Sequence, residues 1–223
     1  MTSRQKVIES IRATAQTAGA TSEEIAKSYM AVPRSYTSAG MLTSEARIKL
    51  MIERLREYEA EVVECAPDEV GAAIRSQITA SGRRRFVVPP EISANYLISI
   101  APNLNGIEWI TDHGLSTNEI EQTEGVMTEA FCGIADSGTI VLHHSAREGR
   151  RVLTLLPDWH LCILRASQIV ETLPEYFALC PQPPALVTWI SGPSATADIE
   201  MTRIKGVHGP RFLHVIVVRD LAR

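Results

Sequence analysis

The residue types best able to do chemistry gather in a few short spans of the 223-residue chain. The richest is Ser191-Gly192-Pro193-Ser194-Ala195-Thr196-Ala197-Asp198-Ile199-Glu200, followed closely by Gly206-Val207-His208-Gly209-Pro210-Arg211. Gly192 lets a backbone approach closely, Pro193 fixes its own φ and removes a donor, and Ser194 or Thr196 can cap a following helix whose free N–H groups then face outward. Such a nest favours anions. A carboxylate or phosphate would be held by amides and hydroxyls of residues 191–198, Ser191, Gly192, Ser194, Thr196 and Asp198 among them, with Arg211 and His208 adding charge or donors. The plainer alternative is that Ser194 and Asp198 cap and turn the chain. Asp136-Ser137-Gly138-Thr139 sets a carboxylate and two hydroxyls beside a glycine, which suits a hydroxy acid with Asp136 as base, although Asp, Ser and Gly are also ordinary turn residues. His160 is a candidate proton carrier, because an imidazole ordinarily titrates at about 6.5, or else a satisfied core residue beside Trp159.

Elements must place these residues. The glycine-rich loop lies between apolar runs 185–190 and 212–218, which read as buried strands. Open α/β sheets bind ligands beyond the carboxyl ends of their strands, so Gly138, His160, Ser194 and His208 are expected to share one crevice there. Upstream, Ile8, Ile11, Ala15 and Ala18 fall on one helix face, a loop follows near Pro33 and Gly40, and a helix beginning at Thr43 or Ser44 carries Ile48, Met51, Ile52 and Leu55 at core spacing. Strand 61–65, helix 67–80 with Asp68 and Glu69 in its first turn, and strand 85–88 imply a parallel βαβ unit. A turn at 111–114, a short helix at 117–123, a hairpin-like connection at 136–138 between runs 126–135 and 139–142, apolar runs 152–156 and 161–164, and a helix at 172–180 complete the pattern. The expected organisation is an N-terminal helical segment, 1–60, packed on an α/β domain, 61–223.

Composition excludes several classes. Twenty-two Lys plus Arg against 26 Asp plus Glu give a formal charge of −4, which does not suit a general nucleic-acid or anionic-membrane binder. Arg83-Arg84-Arg85 reads as a solvated strand entrance or an anion clamp. No apolar run reaches the roughly 20 residues a bilayer requires, and residues 1–12 are charged and amphipathic unlike a signal peptide, so a soluble, cytoplasmic protein is expected. Cys65, Cys132, Cys162 and Cys180 are dispersed, without the C-x-x-C spacing of iron–sulphur or structural zinc sites, and no metal or cofactor of its own is expected. There is no G-x-G-x-x-G, Thr139 stands where a phosphate loop needs lysine, and no H-E-x-x-H occurs. His143 and His144 are adjacent and would point to opposite strand faces, a poor chelating pair that reads as two surface histidines.

The loop residues Ser191-Gly192-Pro193-Ser194-x-Thr196-Ala197-Asp198-Ile199-Glu200 with Gly206-Val207-His208-Gly209-Pro210 resemble the C-terminal signature of the LUD-domain family, and within it the lactate-utilisation C type. Gly133-Ile134-Ala135-Asp136-Ser137-Gly138-Thr139-Ile140-Val141-Leu142 and Leu155-Leu156-Pro157-x-x-His160 resemble that family's other two motifs, in the same order, and the resemblance is specific over about residues 133–218. It implies a three-layer α/β sandwich with a mostly parallel sheet, like that of the sugar-phosphate isomerase and CoA-transferase group. It also implies a subunit or accessory role in oxidation of L-lactate to pyruvate, in which iron–sulphur partner proteins carry the clusters. Two other classes remain open. One is a stand-alone CoA-transferase-like or folate cyclo-ligase-like enzyme, in which Glu148 would be a nucleophilic carboxylate by fold analogy. The other is a non-catalytic assembly module for the iron–sulphur proteins. Missing cofactor motifs weigh against independent redox chemistry, since electron or hydride transfer needs a carrier.

Overall fold

A computed structural model describes residues 2–16, 21–33, 35–92, 96, 106–196, 204–206 and 209–220. Two compact units divide the chain, Met1–Thr37 and Ser38–Arg223. The first holds α1 (Ser3–Gln16) and α2 (Ser22–Ala31). Ile8, Ile11 and Ala15 lie on α1 as expected, whereas Ala18 falls outside the described residues. Sequence patterning missed α2, yet its start is written in a capping box: the Thr21 hydroxyl accepts from the Glu24 N–H, and the Glu24 carboxylate accepts from the Thr21 N–H at 2.7 Å.

The second unit runs α3 (Ser44–Glu57), β1 (Glu61–Cys65), α4 (Val70–Ser81), β2 (Arg85–Val88), β3 (Glu108–Thr111), α5 (Thr117–Glu121), β4 (Gly125–Glu129), β5 (Cys132–Ile134), β6 (Thr139–Leu142), β7 (Trp159–Arg165), β8 (Ile169–Val170), α6 (Leu173–Leu179), β9 (Thr188–Ile190), β10 (Ala195–Thr196), β11 (Ile204–Lys205) and β12 (Phe212–Val218). Six strands form a central sheet in the order β1-β12-β7-β4-β2-β3, every neighbouring pair parallel. A smaller sheet, β8-β5-β6-β9, is mixed, and β10 with β11 makes a two-stranded ribbon. This is the mixed α/β architecture with a mostly parallel central sheet that the sequence suggested.

A parallel sheet must be covered on both faces. Phe86, Met127, Trp159, Leu161, Ile163 and Ile216 turn to one face and pack with Val70, Ile74 and Ile78 of α4. Cys162, Leu164, Leu213, Val215 and Val217 turn to the other, against Ile48, Met51, Ile52 and Leu55 of α3 and Ile140 and Leu142 of the smaller sheet. The α3 face is the one its spacing predicted; Thr43 caps the helix and Arg54 and Arg56 complement its carboxyl-terminal dipole.

Several expectations need correction. Strands β1 and β2 are parallel members of one sheet but not neighbours, because β12, β7 and β4, which carry more buried residues than β1, β2 or β3, take the centre between them. Helix α4 starts at Val70, not 67, since Glu69 stands at the N-cap and spends its carboxylate on the Ala66 N–H. The run 126–135 is broken between two sheets, β4 and β5, and 152–156 is a 3-10 turn over Arg151–Thr154. Residues 185–190 contribute only β9, a half-exposed edge strand antiparallel to β6 rather than the buried strand expected. The helix expected over 172–180 is the seven-residue α6. The hairpin about Asp136-Ser137-Gly138 is present as expected, pairing Ile134 with Thr139.

Leu55 is wholly buried where α3 meets both sheets. Leu55→Ala should therefore destabilise the protein by about 2–5 kcal/mol, the range for a large-to-small core change, read as a shift in the urea midpoint at unchanged slope.

Candidate functional site

A cleft of about 170 Å³ opens at the amino-terminal ends of β7 and β12. Thr154 and Leu155 precede β7, His160 and Leu213 are the second residues of β7 and β12, and Thr188, Ser191, Gly192, Pro193, Ser194, Gly209 and Pro210 come from β9 and the loops after it. The loop was expected at the carboxyl ends. It lies at the opposite edge because β9 belongs to the other sheet, and the chain after it must enter β12 at Phe212, level with Trp159, where both strands begin. At about 30 Å³ per liquid water, the volume suits roughly five or six waters, hence a ligand of a few heavy atoms. Pockets for larger ligands run to about 300–1,000 Å³.

His160 forms a wall and is 1% exposed. Its Nε2 lies 2.8 Å from the Thr128 hydroxyl, which also reaches the Cys162 sulphur at 3.8 Å. Burial lowers the imidazole pKa to about 4, so His160 is neutral at physiological pH. The ordinary titration near neutrality on which the proton-carrier expectation rested does not hold for this buried ring. Facing it, a hydroxyl chain runs from Ser137 to Thr139 at 2.7 Å and from Thr139 to Ser191 at 2.7 Å, tying the β5–β6 hairpin to the cleft. Behind the cleft, His144 Nε2 is 2.7 Å from the Thr188 hydroxyl and Nδ1 is 2.9 Å from the Gly149 carbonyl. Sequence reasoning passed over Thr128 and Thr188 and read His144 as a surface histidine. The first two sit inside apolar runs, where a threonine reads as strand propensity.

Of the predicted site residues, the structure brings together His160, Ser191, Gly192 and Ser194 as cleft walls, with Ser137 and Thr139 behind Ser191. Asp136 is exposed in the hairpin turn, outside the cleft lining, and its N–H bonds to the Glu171 carbonyl. Gly138, with φ +60, presses on α3: a Cβ there would stand 2.6 Å from Arg54 Cβ and 3.0 Å from the Arg54 backbone carbon. Its glycine serves packing. Ser194 does not itself open a helix: β10 begins at Ala195, the Ser194 N–H bonds to the Pro210 carbonyl and its carbonyl accepts from the Gly206 N–H, while residues 197–203, where a helix capped by Thr196 would run, lie outside the described residues. Thr196 is in β10. Asp198 and His208 lie outside the described residues.

Arg211 is not in the cleft lining. It grips Asp158 through two bonds, from Nε at 2.5 Å and from Nη2 at 2.9 Å, and Arg83 adds a contact at 3.4 Å. The Arg211 hydrogen bonds hold the Asp158 carboxyl below its ordinary range. Glu148 is also committed: buried, it accepts the His143 and His144 N–H groups on one oxygen and the Ser145 hydroxyl on the other. Nor are His143 and His144 simple surface residues. His143 stacks on Phe131 at 3.6 Å and bonds to the Tyr176 hydroxyl, although the pair diverges as expected. At the carboxyl edge of the sheet, Arg165 joins Tyr96 and Asp220, and Arg147 approaches Glu129 at 3.7 Å, so that edge is laced by polar pairs.

Cys65, Cys132 and Cys162 are buried, and desolvation pushes their thiols up to about 11, 12 and 12. Among the described residues no three His, Cys, Asp or Glu side chains converge as a metal-ligand set. None of the described helices is long and apolar enough to cross a membrane.

The LUD domain description matches residues 48–218, which span both sheets and the cleft. The chain belongs to the LUD domain family. Its similar proteins include a Deinococcus radiodurans protein named lactate utilization protein C, 38% identical over 170 residues that cover 74% of this chain and 76% of that one. A Bacillus licheniformis protein of the same name is 27% identical over 80% of each chain, and the uncharacterized Escherichia coli protein YkgG is 35% identical over 52% of this chain and 53% of its own. A crystal structure of a DUF162 family protein from Deinococcus radiodurans matches with a TM-score of 0.65 and 31% identity, covering 80% of this chain and all of that one.

Two outcomes are expected of this LUD domain geometry. Gly138→Ala places a side chain against the α3 backbone at a positive φ, and a loss of about 1–3 kcal/mol in chemical denaturation is expected. His160 is neutral in the fold but protonates near 6.5 when unfolded, so its contribution is fully present above about pH 6.5 and is lost as the pH falls toward about 4. That amounts to about 3 kcal/mol. Wild type should lose stability over this window more steeply than His160→Gln. An NMR titration of His160 with a midpoint near 6.5 would count against it.

Proposed function

We propose that the chain serves as a subunit or accessory factor in oxidation of L-lactate to pyruvate, alongside iron–sulphur proteins, and that it holds a small organic acid in the cleft around His160. The observation carrying the pathway is the likeness to proteins named lactate utilization protein C, at 38% identity over most of both chains for the Deinococcus radiodurans relative. The cleft supports the ligand class by its size and its walls. Leu155, Pro193, Pro210 and Leu213 offer apolar surface to a short carbon skeleton, and the Ser191 hydroxyl with the His160 imidazole supplies neutral hydrogen-bonding groups. Neutral donors can hold a carboxylate without a formal counter-charge, as backbone amides do elsewhere. In this reading Ser137 and Thr139 orient Ser191, and Arg211 with Asp158 braces the entry to β12.

Thermal unfolding of the whole chain tests it. At ten times Kd, a ligand that binds only the folded state stabilises by about 1.4 kcal/mol, a rise of roughly 3–6 °C for a protein of this size. L-Lactate or pyruvate should produce that rise, and His160→Phe, which fills the cleft, should abolish it. Stabilisation by a CoA ester or a nucleotide, with none by either acid, would instead favour a stand-alone transferase or ligase and sink this reading.

A further inference from the structure

The tautomer that His144 takes as a neutral ring can be read from its neighbours. Its Nδ1 lies 2.9 Å from the Gly149 carbonyl oxygen, which can only accept, so Nδ1 carries a hydrogen. In a neutral imidazole the other nitrogen is then a lone pair, and Nε2 stands 2.7 Å from Thr188 Oγ1. The Thr188 hydroxyl therefore donates to His144. A threonine hydroxyl has one hydrogen and two lone pairs, so once that hydrogen is committed Thr188 offers only acceptor capacity to its surroundings. Thr188 is a cleft residue.

The fold holds this arrangement firmly. His144 adopts φ +56, a left-handed conformation uncommon outside glycine, and its N–H is bound by the Glu148 carboxylate at 3.1 Å. Glu148 is itself fixed by the Ser145 hydroxyl at 2.7 Å. On the other side, β9 pairs with β6 so that Thr188 stands opposite Leu142, two residues before His144. A β-branched side chain in a strand has restricted χ1, which keeps the hydroxyl on its imidazole partner. Strained backbone, a buried carboxylate and strand register thus converge on the direction of one hydroxyl.

We propose that Thr188, its hydroxyl aimed by His144, is the specificity-determining residue of the cleft: it accepts a hydrogen bond from a ligand hydroxyl, so the cleft takes 2-hydroxy acids in preference to the matching 2-oxo acids. This rests on the proposed function, in which the cleft holds a small organic acid. A 2-hydroxy acid brings an O–H to the Thr188 lone pairs while Ser191 and His160 face its carboxylate. The 2-oxo acid brings a second acceptor, leaving two lone pairs face to face with no hydrogen between them. Sites that pair a ligand hydroxyl discriminate against analogues lacking it because the site's own polar group is then unpaired. His144 is the positioning residue.

Calorimetric titration of the whole chain with L-lactate and with pyruvate decides the matter. Wild type should bind lactate roughly tenfold more tightly, the ratio for one hydrogen bond won or lost in a partly open site. Thr188→Val, isosteric but without lone pairs, should bring lactate down to pyruvate's affinity and leave pyruvate unchanged. Thr188→Ser should restore the preference. His144→Asn tolerates the left-handed backbone but is too short to hold the hydroxyl, so Thr188 regains a donor and pyruvate should bind more tightly than to wild type, a gain no loss of structure would produce. Equal affinities in wild type, or a preference that survives in Thr188→Val, overturn the proposal while the cleft reading stands. Binding of neither acid by wild type removes the cleft reading and this proposal together. If Thr188→Val fails to fold, Thr188→Ser and His144→Asn carry the same contrast.

Discussion

A central strand of a parallel sheet has no solvent face, and β7 carries polar residues under that constraint. It lies between β12 and β4, six of its seven residues are buried, and its side chains alternate between two apolar layers. Trp159 goes to the α4 side, with Phe86 and His214 around its ring. His160 goes to the other, toward α3 and the smaller sheet. There the low dielectric makes a charged imidazole costly, so the ring is neutral, and Thr128 on the neighbouring strand takes one of its nitrogens. Burial thus leaves a neutral imidazole, its Nε2 beside the Thr128 hydroxyl, in the wall of the cleft.

Topology decides which end of the sheet becomes the site. The smaller sheet is reached by leaving the larger one after β4, and β9 runs antiparallel to β6 at its edge. From there the chain must return to the start of β12, so a glycine- and proline-rich connection has to pass the amino edge, where Thr154 and Leu155 also arrive ahead of β7. At the carboxyl edge, Arg165, Tyr96, Asp220, Arg147 and Glu129 satisfy one another. The usual rule for α/β sheets describes sheets whose loops all return from helices. A second sheet, built from β5 and β6 inserted between β4 and β7 and from β8 and β9 after β7, changes where the polar loops go.

That same insertion explains what was legible beforehand. Helix α3, strands β1, β2 and β12, and the β5–β6 hairpin announce themselves locally, through 3.6-residue spacing, an Asp-Ser-Gly turn or an unbroken apolar run. Strand order does not, because β1 and β2 look like neighbours from a βαβ pattern whatever is later inserted between them. His160, Ser191, Gly192 and Ser194 were legible as candidates since polar types in a glycine-rich context stand out, and all four line the one cleft. Asp136 and Arg211 stood out for the same reason, and their chemistry is spent elsewhere. Thr128, Thr188 and His144 were hidden, because a threonine in a strand or the second of two histidines carries no signal until register places it beside a cavity.

The electrostatics of the cleft derive from these placements. None of its described lining residues bears a formal charge, and the guanidinium groups of Arg83 and Arg211 share Asp158 while packing over Phe212 at 4.9 and 5.9 Å. A charged clamp would attract any small anion and lose strength with salt, since exposed charges are screened within about 10 Å at 0.1 M. Hydroxyls and a neutral imidazole act over one bond length and depend on direction, so they sort ligands by where donors and acceptors lie. Such a site gives up long-range steering. In return, two molecules of equal charge that differ at a single oxygen, a hydroxyl in the hydroxy acid and a carbonyl in its oxo counterpart, present different partners to Thr188, and the direction of one hydroxyl is enough to tell them apart.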